Sequence, residues 1–288
     1  MILKDLEHPV PKWLQNNTMF LTYMGSHAYG VARPDSDFDV YGWCIPPKNF
    51  LFPHLDGYIE GFGERPNKFD QWVCHHVAHK GKEYDFNVFN IVKYFQLCLD
   101  GNPNMIDSMF TPLNCILHSC AISNMVREKR QLFLSKKLFH TFKGYAYSQM
   151  HKVKQRNPQE GSKRHADVEA HGFDTKYCYH IVRLLSEIEQ ILTEHDLVLD
   201  EKSRREHMKA IRNGEVDVED ILKWAKAKEM ELDLLCTNST LRDKKATGQV
   251  KQLLVECLEH HYGSLAKAVV TKSDAEVKLE KIVAILGE

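Results

Sequence analysis

The chain has 288 residues, of which 43% are hydrophobic and 27% are charged. With 38 Lys and Arg against 39 Asp and Glu, its formal net charge is −1. These values exclude disordered, collagen-like and coiled-coil chains, and near neutrality argues against a nonspecific nucleic-acid coat, which carries a basic excess. At about 100–200 residues per domain, the length fits one large domain or two smaller ones, either with a sizeable core.

Three features of the sequence bear on the compartment. The most apolar stretch, residues 88–99, is interrupted by Asn90, Lys93 and Gln96 and falls short of the about 18 apolar residues that a membrane span needs. The N-terminal residues include acids and prolines where a signal peptide has a basic tip and an apolar segment. The eight cysteines are scattered without a C-x-x-C pair, as in a reducing compartment. We therefore expect a cytoplasmic protein with no membrane contact.

Up to about residue 110, short β-like runs alternate with turns. Thr18–Met24 is rich in β-branched and aromatic residues and is followed by glycine, which predicts a strand. Asp37–Trp43 begins with alternating polar and apolar residues and predicts a second strand. Tyr84–Phe89 predicts a third, which continues into a helix over 90–99 that a Gly-Asn-Pro sequence ends.

From Lys136 onward the apolar spacing is helical, and glycines separate the periodic segments. The sequence predicts helices over 136–156, 175–193, 201–212, 217–235, 246–259 and 273–286. The change in pattern predicts an α+β fold, with an α+β domain over residues 1–115 and an all-α domain over residues 116–288.

The most informative stretch is GSHAYGVARPDSDFDV, which begins at Gly25 and follows the first predicted strand. Gly25 permits a close approach of the backbone, and Ser26 offers a hydroxyl and an N–H, as an anion cradle does. Ten residues separate Ser26 from Asp37, and Ser36 stands directly before that aspartate. Taken alone, a Gly-Ser pair after a strand is also common as an ordinary turn.

The second predicted strand carries Asp37 and Asp39 on one face, because side chains alternate along a strand. Two carboxylates so close repel each other, and a divalent cation with oxygen ligands would relieve that repulsion. Asp85 on the third strand is the natural third ligand, and Glu83 on the same face is the runner-up. The alternative is an exposed, solvated Asp-x-Asp pair. The conjunction of these features favours a site for a metal-bound triphosphate.

These residues resemble the DNA polymerase β-like nucleotidyltransferase superfamily, whose signature is Gly-Ser, about ten residues, then Asp-x-Asp. The form found here is similar to that of a family of bacterial and phage predicted nucleotidyltransferases. Further matching segments are EYDFNVFNIVKYFQLCLDGNPNMIDSMF, KGYAYSQMHK, HGFDTKYCYHIVRLL and IRNGE. The resemblance covers about residues 20–215 and implies a small mixed β-sheet that carries the acids, followed by a helical domain.

The resemblance also implies roles for single residues. Gly25 and Ser26 match the pair that contacts the triphosphate, and we add Ser36 to the expected nucleotide-binding residues. Asp37 and Asp39 match two catalytic metal ligands, and Asp85 matches the third by its strand context. The implied cofactor is a pair of Mg²⁺ ions, with Mn²⁺ as an alternative.

In the helical half, Asp174 can cap a helix on which Lys176, His180 and Arg183 share one face. If this face borders the cleft, Lys176 and His180 would bind the β- and γ-phosphates. The alternative is a solvated face on which Arg183 pairs with Glu187.

Charge is segregated along the helical half. Residues 143–164 contain six basic residues against one acidic residue, together with Tyr145, Tyr147 and His151. The six are Lys143, Lys152, Lys154, Arg156, Lys163 and Arg164. This composition suits contacts to an RNA backbone with some base stacking, and a solvated loop with an ordinary charged helix surface is the alternative.

We therefore expect a metal-dependent nucleotidyltransferase. It would move a nucleoside monophosphate from an NTP, with ATP as first choice, to an acceptor hydroxyl and release pyrophosphate. The segment 143–164 slightly favours an RNA or tRNA end as acceptor over a protein hydroxyl or a small molecule. A non-catalytic module that binds nucleotides or partners is the alternative from another class.

Overall fold

The computed structural model describes residues 2–64, 68–155, 160, 163–269 and 274–286. Its strands are β1 Thr18–Tyr23, β2 Phe38–Cys44, β3 Gln71–His79, β4 Lys82–Asn90 and β5 Ile116–Ser119. They form one sheet in the order β3-β4-β2-β1-β5. β2 and β4 run parallel and the other neighbours antiparallel, so the predicted small mixed sheet is confirmed.

The three predicted strands correspond to β1, β2 and β4. Strands β3 and β5 were not predicted from the sequence. β3 is an edge strand that is exposed or half-buried along nearly all its length, so its sequence lacks a regular apolar alternation. β5 has only four residues, too few to show a pattern.

Helices fill most of the remaining chain. In the N-terminal part they are α1 Lys12–Asn17, α2 Gly25–Ala28, α3 Lys48–Leu51, α4 Ile91–Leu99, α5 Pro103–Phe110 and α6 Ala121–Glu128. In the C-terminal part they are α7 Lys137–Gln155, α8 Lys163–His171, α9 Thr175–Glu194, α10 Lys202–Arg212, α11 Val218–Asn238, α12 Thr247–Tyr262, α13 Leu265–Ala268 and α14 Asp274–Leu286.

Each predicted helix corresponds to a helix of the structure whose ends differ by at most three residues. The helices that were not predicted include α5, α6 and α8 and the short helices α1, α3 and α13. The Gly-Asn-Pro sequence that ends α4 also starts α5, because the Asn102 side chain accepts a hydrogen bond from the N–H of Met105 at 3.3 Å and Pro103 is the first helical residue. α8 has nine residues and little apolar periodicity.

A continuous hydrophobic core joins the sheet to the helices. Phe20 and Trp43 from the sheet belong to the same cluster as Leu185 from α9 and Leu253 from α12. A smaller cluster, with Leu21 from β1, covers the other face of the sheet. β5 lies beyond residue 115 and pairs with β1, so the sheet extends past the predicted boundary. The division into two domains stays a prediction.

α9 is the central helix of the C-terminal part, and α7, α8, α10 and α11 pack against it. This arrangement places the N-terminal half of α9 at the cavity described below. None of the helices among the described residues is both long and apolar enough to cross a membrane.

Candidate active site

The parallel pairing of β2 and β4 brings the predicted acids together. Asp39 lies opposite Asp85 in the register of the two strands, and Asp37 directly precedes β2. All three side chains line one cavity of about 480 Å³, and we call them the acidic wall. The strand pairing thus places Asp85 where the sequence analysis expected it, while its role as a ligand stays a prediction.

The Gly-Ser pair begins α2 and borders the same cavity. Gly25 has a φ of +59° and lies so close to Asp39 that a Cβ on it would collide with the Asp39 Oδ2 atom. Glycine alone satisfies both the left-handed backbone and this contact. The Ser26 side chain lines the cavity, and so does Ser36, whose Oγ accepts a hydrogen bond from the N–H of Arg33 at 2.8 Å.

The two candidate third acids, Asp85 and Glu83, have different surroundings because of a bulge in β3. His76 lies in this bulge with a φ of 56°, and its ring Nδ1 is 2.6 Å from Oε1 of Glu83. Its backbone N–H donates to Oδ1 of Asp85 at 2.8 Å. Asp85 lines the cavity, whereas the described lining residues do not include Glu83. The geometry therefore favours Asp85 over Glu83.

Burial and crowding of negative charge change the ionisation of the acidic wall. Burial raises the pKa of Asp39, and the neighbouring carboxylates of Asp85 and Asp37 raise it further, while the positive charge of Lys176 opposes this shift. Burial and the Asp39 charge also raise the pKa of Tyr41 to about 12. The carboxylates of the acidic wall therefore repel one another, and a cation bound between them would relieve that repulsion.

Cations from the helical half line the same cavity, and we call four of them the basic wall. They are Arg164 on α8, Lys176 and Arg183 on α9, and Arg212 at the end of α10. α9 begins at this point because the Asp174 side chain accepts hydrogen bonds from the N–H groups of Lys176 and Tyr177 at 3.0 and 3.2 Å. The predicted stripe of Lys176, His180 and Arg183 thus faces the cavity.

Arg183 is 1% exposed and ties three elements of the site together. Its guanidinium donates to a carboxylate oxygen of Asp107 on α5 and to the hydroxyl of Tyr29, directly after α2. The Glu187 carboxylate lies 3.8 Å away, so the pairing expected in the alternative is present. Arg183 is nevertheless buried, and the expectation of a solvated face is wrong for this residue.

Lys176 and His180 differ in charge although both line the cavity. Lys176 is exposed and carries its charge at the cavity, where it acts on Asp39. Burial and the neighbouring cations Arg183, Lys176, Arg164 and Arg212 hold the pKa of His180 well below its ordinary value. His180 is therefore neutral at pH 7 and offers a hydrogen bond rather than a positive charge.

A sequence model described as RlaP, an RNA repair pathway DNA polymerase beta family, matches residues 3–256 of the chain. The chain belongs to this family. The resemblance to polymerase β-like nucleotidyltransferases is thereby confirmed.

Two individual proteins resemble this member of the RlaP family. An uncharacterized 38.9 kDa protein of Enterobacteria phage T4 is 23% identical over 137 residues, which make up 47% of this chain and 38% of the phage protein. The chain thus spans well under half the length of that relative. A crystal structure of a nucleotidyltransferase-like protein from Exiguobacterium sibiricum is 7% identical, covers 88% of this chain and 71% of its own, and has a TM-score of 0.28.

The carboxylates of this RlaP family member suit a divalent ion only in part. Asp37, Asp39 and Asp85 supply the hard oxygen ligands that Mg²⁺ prefers, and the charges of Asp37 and Asp85 act on the half-buried Asp39 carboxylate. Among the described residues, no three acidic, His or Cys side chains form a group that could by itself hold a metal.

Several cavity residues of this RlaP family member had no predicted role in nucleotide binding. They are Tyr29, Arg33, Asp35, Tyr41, Asn104, Tyr145, Arg164, Asp167, Tyr179 and Arg212. Arg33 lies inside the Gly-Ser to Asp-x-Asp stretch, and Arg212 lies in the matching IRNGE segment. Neither arginine stands at a position that a motif defines. The matching segments therefore indicated the region of the site but not these two residues.

The basic segment 143–164 is only partly open to a ligand. Lys143 pairs with Asp233 at 2.9 Å, and Lys152 lies 5.7 Å above the ring of Tyr177. Tyr147 is exposed. Arg156 and the side chains of Lys154 and Lys163 lie outside what the structure describes. The use of this surface for RNA stays a prediction.

Proposed function

We propose that this chain is a metal-dependent nucleotidyltransferase that transfers a nucleoside monophosphate from an NTP to an acceptor hydroxyl and releases pyrophosphate. The observation that carries the proposal is one cavity lined by the acidic wall from β2 and β4 and by the basic wall from α8 to α10. In a triphosphate with bound divalent ions, the metal ions complement the acidic wall and the phosphate groups complement the basic wall. Membership of the family supports the reaction class.

The acidic wall and the Gly-Ser pair would have different roles. Asp37, Asp39 and Asp85 would hold the Mg²⁺ ions, which when bound neutralise phosphate charge and lower the pKa of the acceptor hydroxyl. Gly25 brings the backbone at the start of α2 close to the phosphates, and Ser26 donates its hydroxyl.

In the reaction, the acceptor oxygen forms a bond to the α-phosphorus, and the bond from that phosphorus to pyrophosphate breaks. Asp85 would take up the proton of the acceptor hydroxyl, since the backbone N–H of His76 holds its carboxylate in place at the cavity. Lys176 would stabilise the charge that develops on pyrophosphate.

The favoured acceptor is an RNA end, with ATP as the expected donor. The description of the family refers to RNA repair, and the segment 143–164 offers basic and aromatic side chains. A protein hydroxyl or a small molecule would leave that segment without a role in the reaction.

The test supplies each α-labelled NTP in turn, with and without Mg²⁺, to the protein in a cell lysate, and follows both pyrophosphate release and the fate of the label. We expect label in RNA and no transfer after addition of a chelator. Label in protein or in a small molecule would reassign the acceptor. NTP binding without pyrophosphate release would identify a non-catalytic module.

The matched variant is Asp37→Ala with Asp39→Ala. We expect this double variant to keep its fold, measured by circular dichroism, and to lose transfer down to background. Unchanged transfer by a folded double variant would refute the proposed site.

A further inference from the structure

The residues that line the cavity are not all charged. Asn104 on α5, Tyr145 on α7 and Tyr41 on β2 line it as well. We call these three residues the amide–aromatic side.

The packing of α7 against the start of α5 brings these residues together. Gly101, just before α5, lies so close to α7 that a Cβ on it would stand 2.8 Å from both Leu138 and Thr141. Tyr145 is one helical turn beyond Thr141 on the same face of α7. Asn104 and Tyr145 therefore border the cavity from two helices that are held in close contact.

Tyr41 connects this side to the acidic wall. It stands two residues after Asp39 on β2, so both side chains leave the strand on the same face. Both Asp39 and Tyr145 are close enough to raise the pKa of Tyr41. Tyr41 thus lies within electrostatic reach of both Asp39 and Tyr145, and all three residues line the same cavity.

The polar and aromatic groups on this side are available to a ligand. Within the described part of the chain, the Asn104 amide makes no hydrogen bond, although it lines the cavity. The ring of Tyr145 is 38% exposed. The basic wall differs, because Arg164, Arg183 and Arg212 each already contact protein acceptors.

We propose that Asn104 and Tyr145 form a nucleobase subsite; this inference rests on the proposed function. The Asn amide presents a donor and an acceptor side by side, which matches the edge of a base such as adenine. The Tyr ring offers a face on which any base can stack. The Asn104 amide would therefore select among the bases, and the Tyr145 ring would add affinity for any base.

The direction of transfer supports this position for a base. When the α-phosphate lies at the acidic wall and pyrophosphate leaves toward the basic wall, the nucleoside and the incoming acceptor occupy the remaining side. The amide–aromatic side offers polar and aromatic groups for that part of the substrate. The bound base belongs either to the donor NTP or to the end of the acceptor RNA, and these two sources are separable by experiment.

The experiment measures equilibrium dissociation constants of the full chain for ATP, GTP, CTP, UTP and inorganic tripolyphosphate, and for RNA oligonucleotides that end in each base. We expect Tyr145→Ala to weaken binding of nucleotides by about 5- to 100-fold and to leave tripolyphosphate binding unchanged. Tyr145→Phe should retain the affinity. Asn104→Ala should reduce the differences among the four NTPs.

The control is Phe62→Ala, because Phe62 is an aromatic residue that is 81% exposed and is not among the cavity residues. If the Tyr145 and Asn104 variants lose affinity for NTPs, the subsite binds the base of the donor. If they lose affinity for RNA ends and bind NTPs normally, the subsite binds the base of the acceptor. Either result supports a nucleobase subsite.

Unchanged binding of both ligands, or an equal loss for tripolyphosphate, overturns the inference. If the wild-type protein binds tripolyphosphate and releases pyrophosphate, and the variants have unchanged dissociation constants, the subsite alone is refuted. A wild-type protein that binds neither NTPs nor tripolyphosphate would remove the proposed function as well.

Discussion

The acidic wall and the basic wall are built in different ways. Asp39 and Asp85 lie on two adjacent strands, and Asp37 directly precedes the first of them, so the backbone register of those strands fixes the spacing of the acids. The basic wall comes from three helices of the other half of the chain, and only the packing around α9 brings those helices to the cavity. A motif therefore reveals the first wall, whereas the second has no local signature.

The two walls also differ in how their charges are supported. The acids crowd one another, and Asp39 is held with a raised pKa. Most of the cations are already paired, with Arg183 completely enclosed by Asp107, Tyr29 and Glu187. The acidic wall is thus arranged to receive a cation, while much of the basic wall also holds the helices in place.

The largest effect is expected on the acidic wall. Asp85→Asn should lower the rate of transfer by at least about 100-fold, because it removes the charge of a proposed ligand and base while keeping its size. Steady-state release of pyrophosphate measures this loss.

The matched control is Glu83→Gln, two residues earlier on the same strand face. Since Glu83 is bonded to His76 outside the cavity, its variant should retain nearly the wild-type rate. The reverse outcome would make Glu83 the third acid.

The next effect concerns stability on the basic wall. Arg183→Met should lower the free energy of unfolding by about 3–5 kcal/mol, because it leaves the carboxylates of Asp107 and Glu187 buried without their cation. The loss should be greater at about pH 8 than at about pH 5. Burial raises the pKa of both carboxyls, and keeping them protonated costs more stability at higher pH, where the same groups are ionised in the unfolded chain. Urea denaturation at both pH values measures it.

The control for this variant is Arg242→Met, which removes an exposed guanidinium whose contact is Gln249 at 3.3 Å. A change of no more than about 0.5 kcal/mol is expected there. Equal losses for both variants would mean that Arg183 is not a buried structural cation.

A third prediction separates backbone strain from contact with the acidic wall. Gly25→Ala and Gly81→Ala both place alanine at a positive φ, of +59° and +73°, so each should cost about 1–2 kcal/mol of stability. Only the first adds a methyl group that collides with Asp39. We expect Gly25→Ala to lower transfer by about 10-fold or more and Gly81→Ala to leave it unchanged. Equal activity of the two variants would show that the contact has no role in the reaction.

A fourth prediction concerns the exposed member of the basic wall. Lys176→Ala should raise KM for the NTP by about 10-fold, because it removes one charge-assisted contact to the triphosphate. Lys223→Ala removes another exposed lysine, one that is not among the residues lining the cavity, and should not change KM. A normal KM in Lys176→Ala would exclude this residue from triphosphate binding.

The smallest effect is expected outside both walls. Lys152→Glu should weaken RNA binding about 2- to 5-fold in low salt, and less in high salt, as expected for a contact to phosphate. Lys226→Glu makes the same change of charge in the acidic stretch of α11 and serves as the control. A salt titration of oligonucleotide binding measures both. Equal effects of the two variants would mean that RNA binding responds to the overall charge of the protein and not to a local basic surface.

Most of the fold could be predicted where a pattern was long and regular. The helices from α9 to α12 were found because their apolar spacing reflects burial on one face. β1 was found from its β-branched and aromatic residues. The edge strand β3, the short strand β5 and the charged helix α8 carry too little such spacing. Each of these three takes its place through pairing or packing with residues distant in the chain.

By itself the sequence determined the sheet-and-helix order, the Gly25-Ser26 pair and the acids Asp37 and Asp39, because each depends on neighbours within a few residues. Only the tertiary structure decided that Asp85 rather than Glu83 lines the cavity, that Arg183 is buried and that Arg212 borders the site. These outcomes depend on strand register, on a bulge in β3 and on helix packing. Such contacts between distant parts of the chain leave no spacing that a local reading could detect.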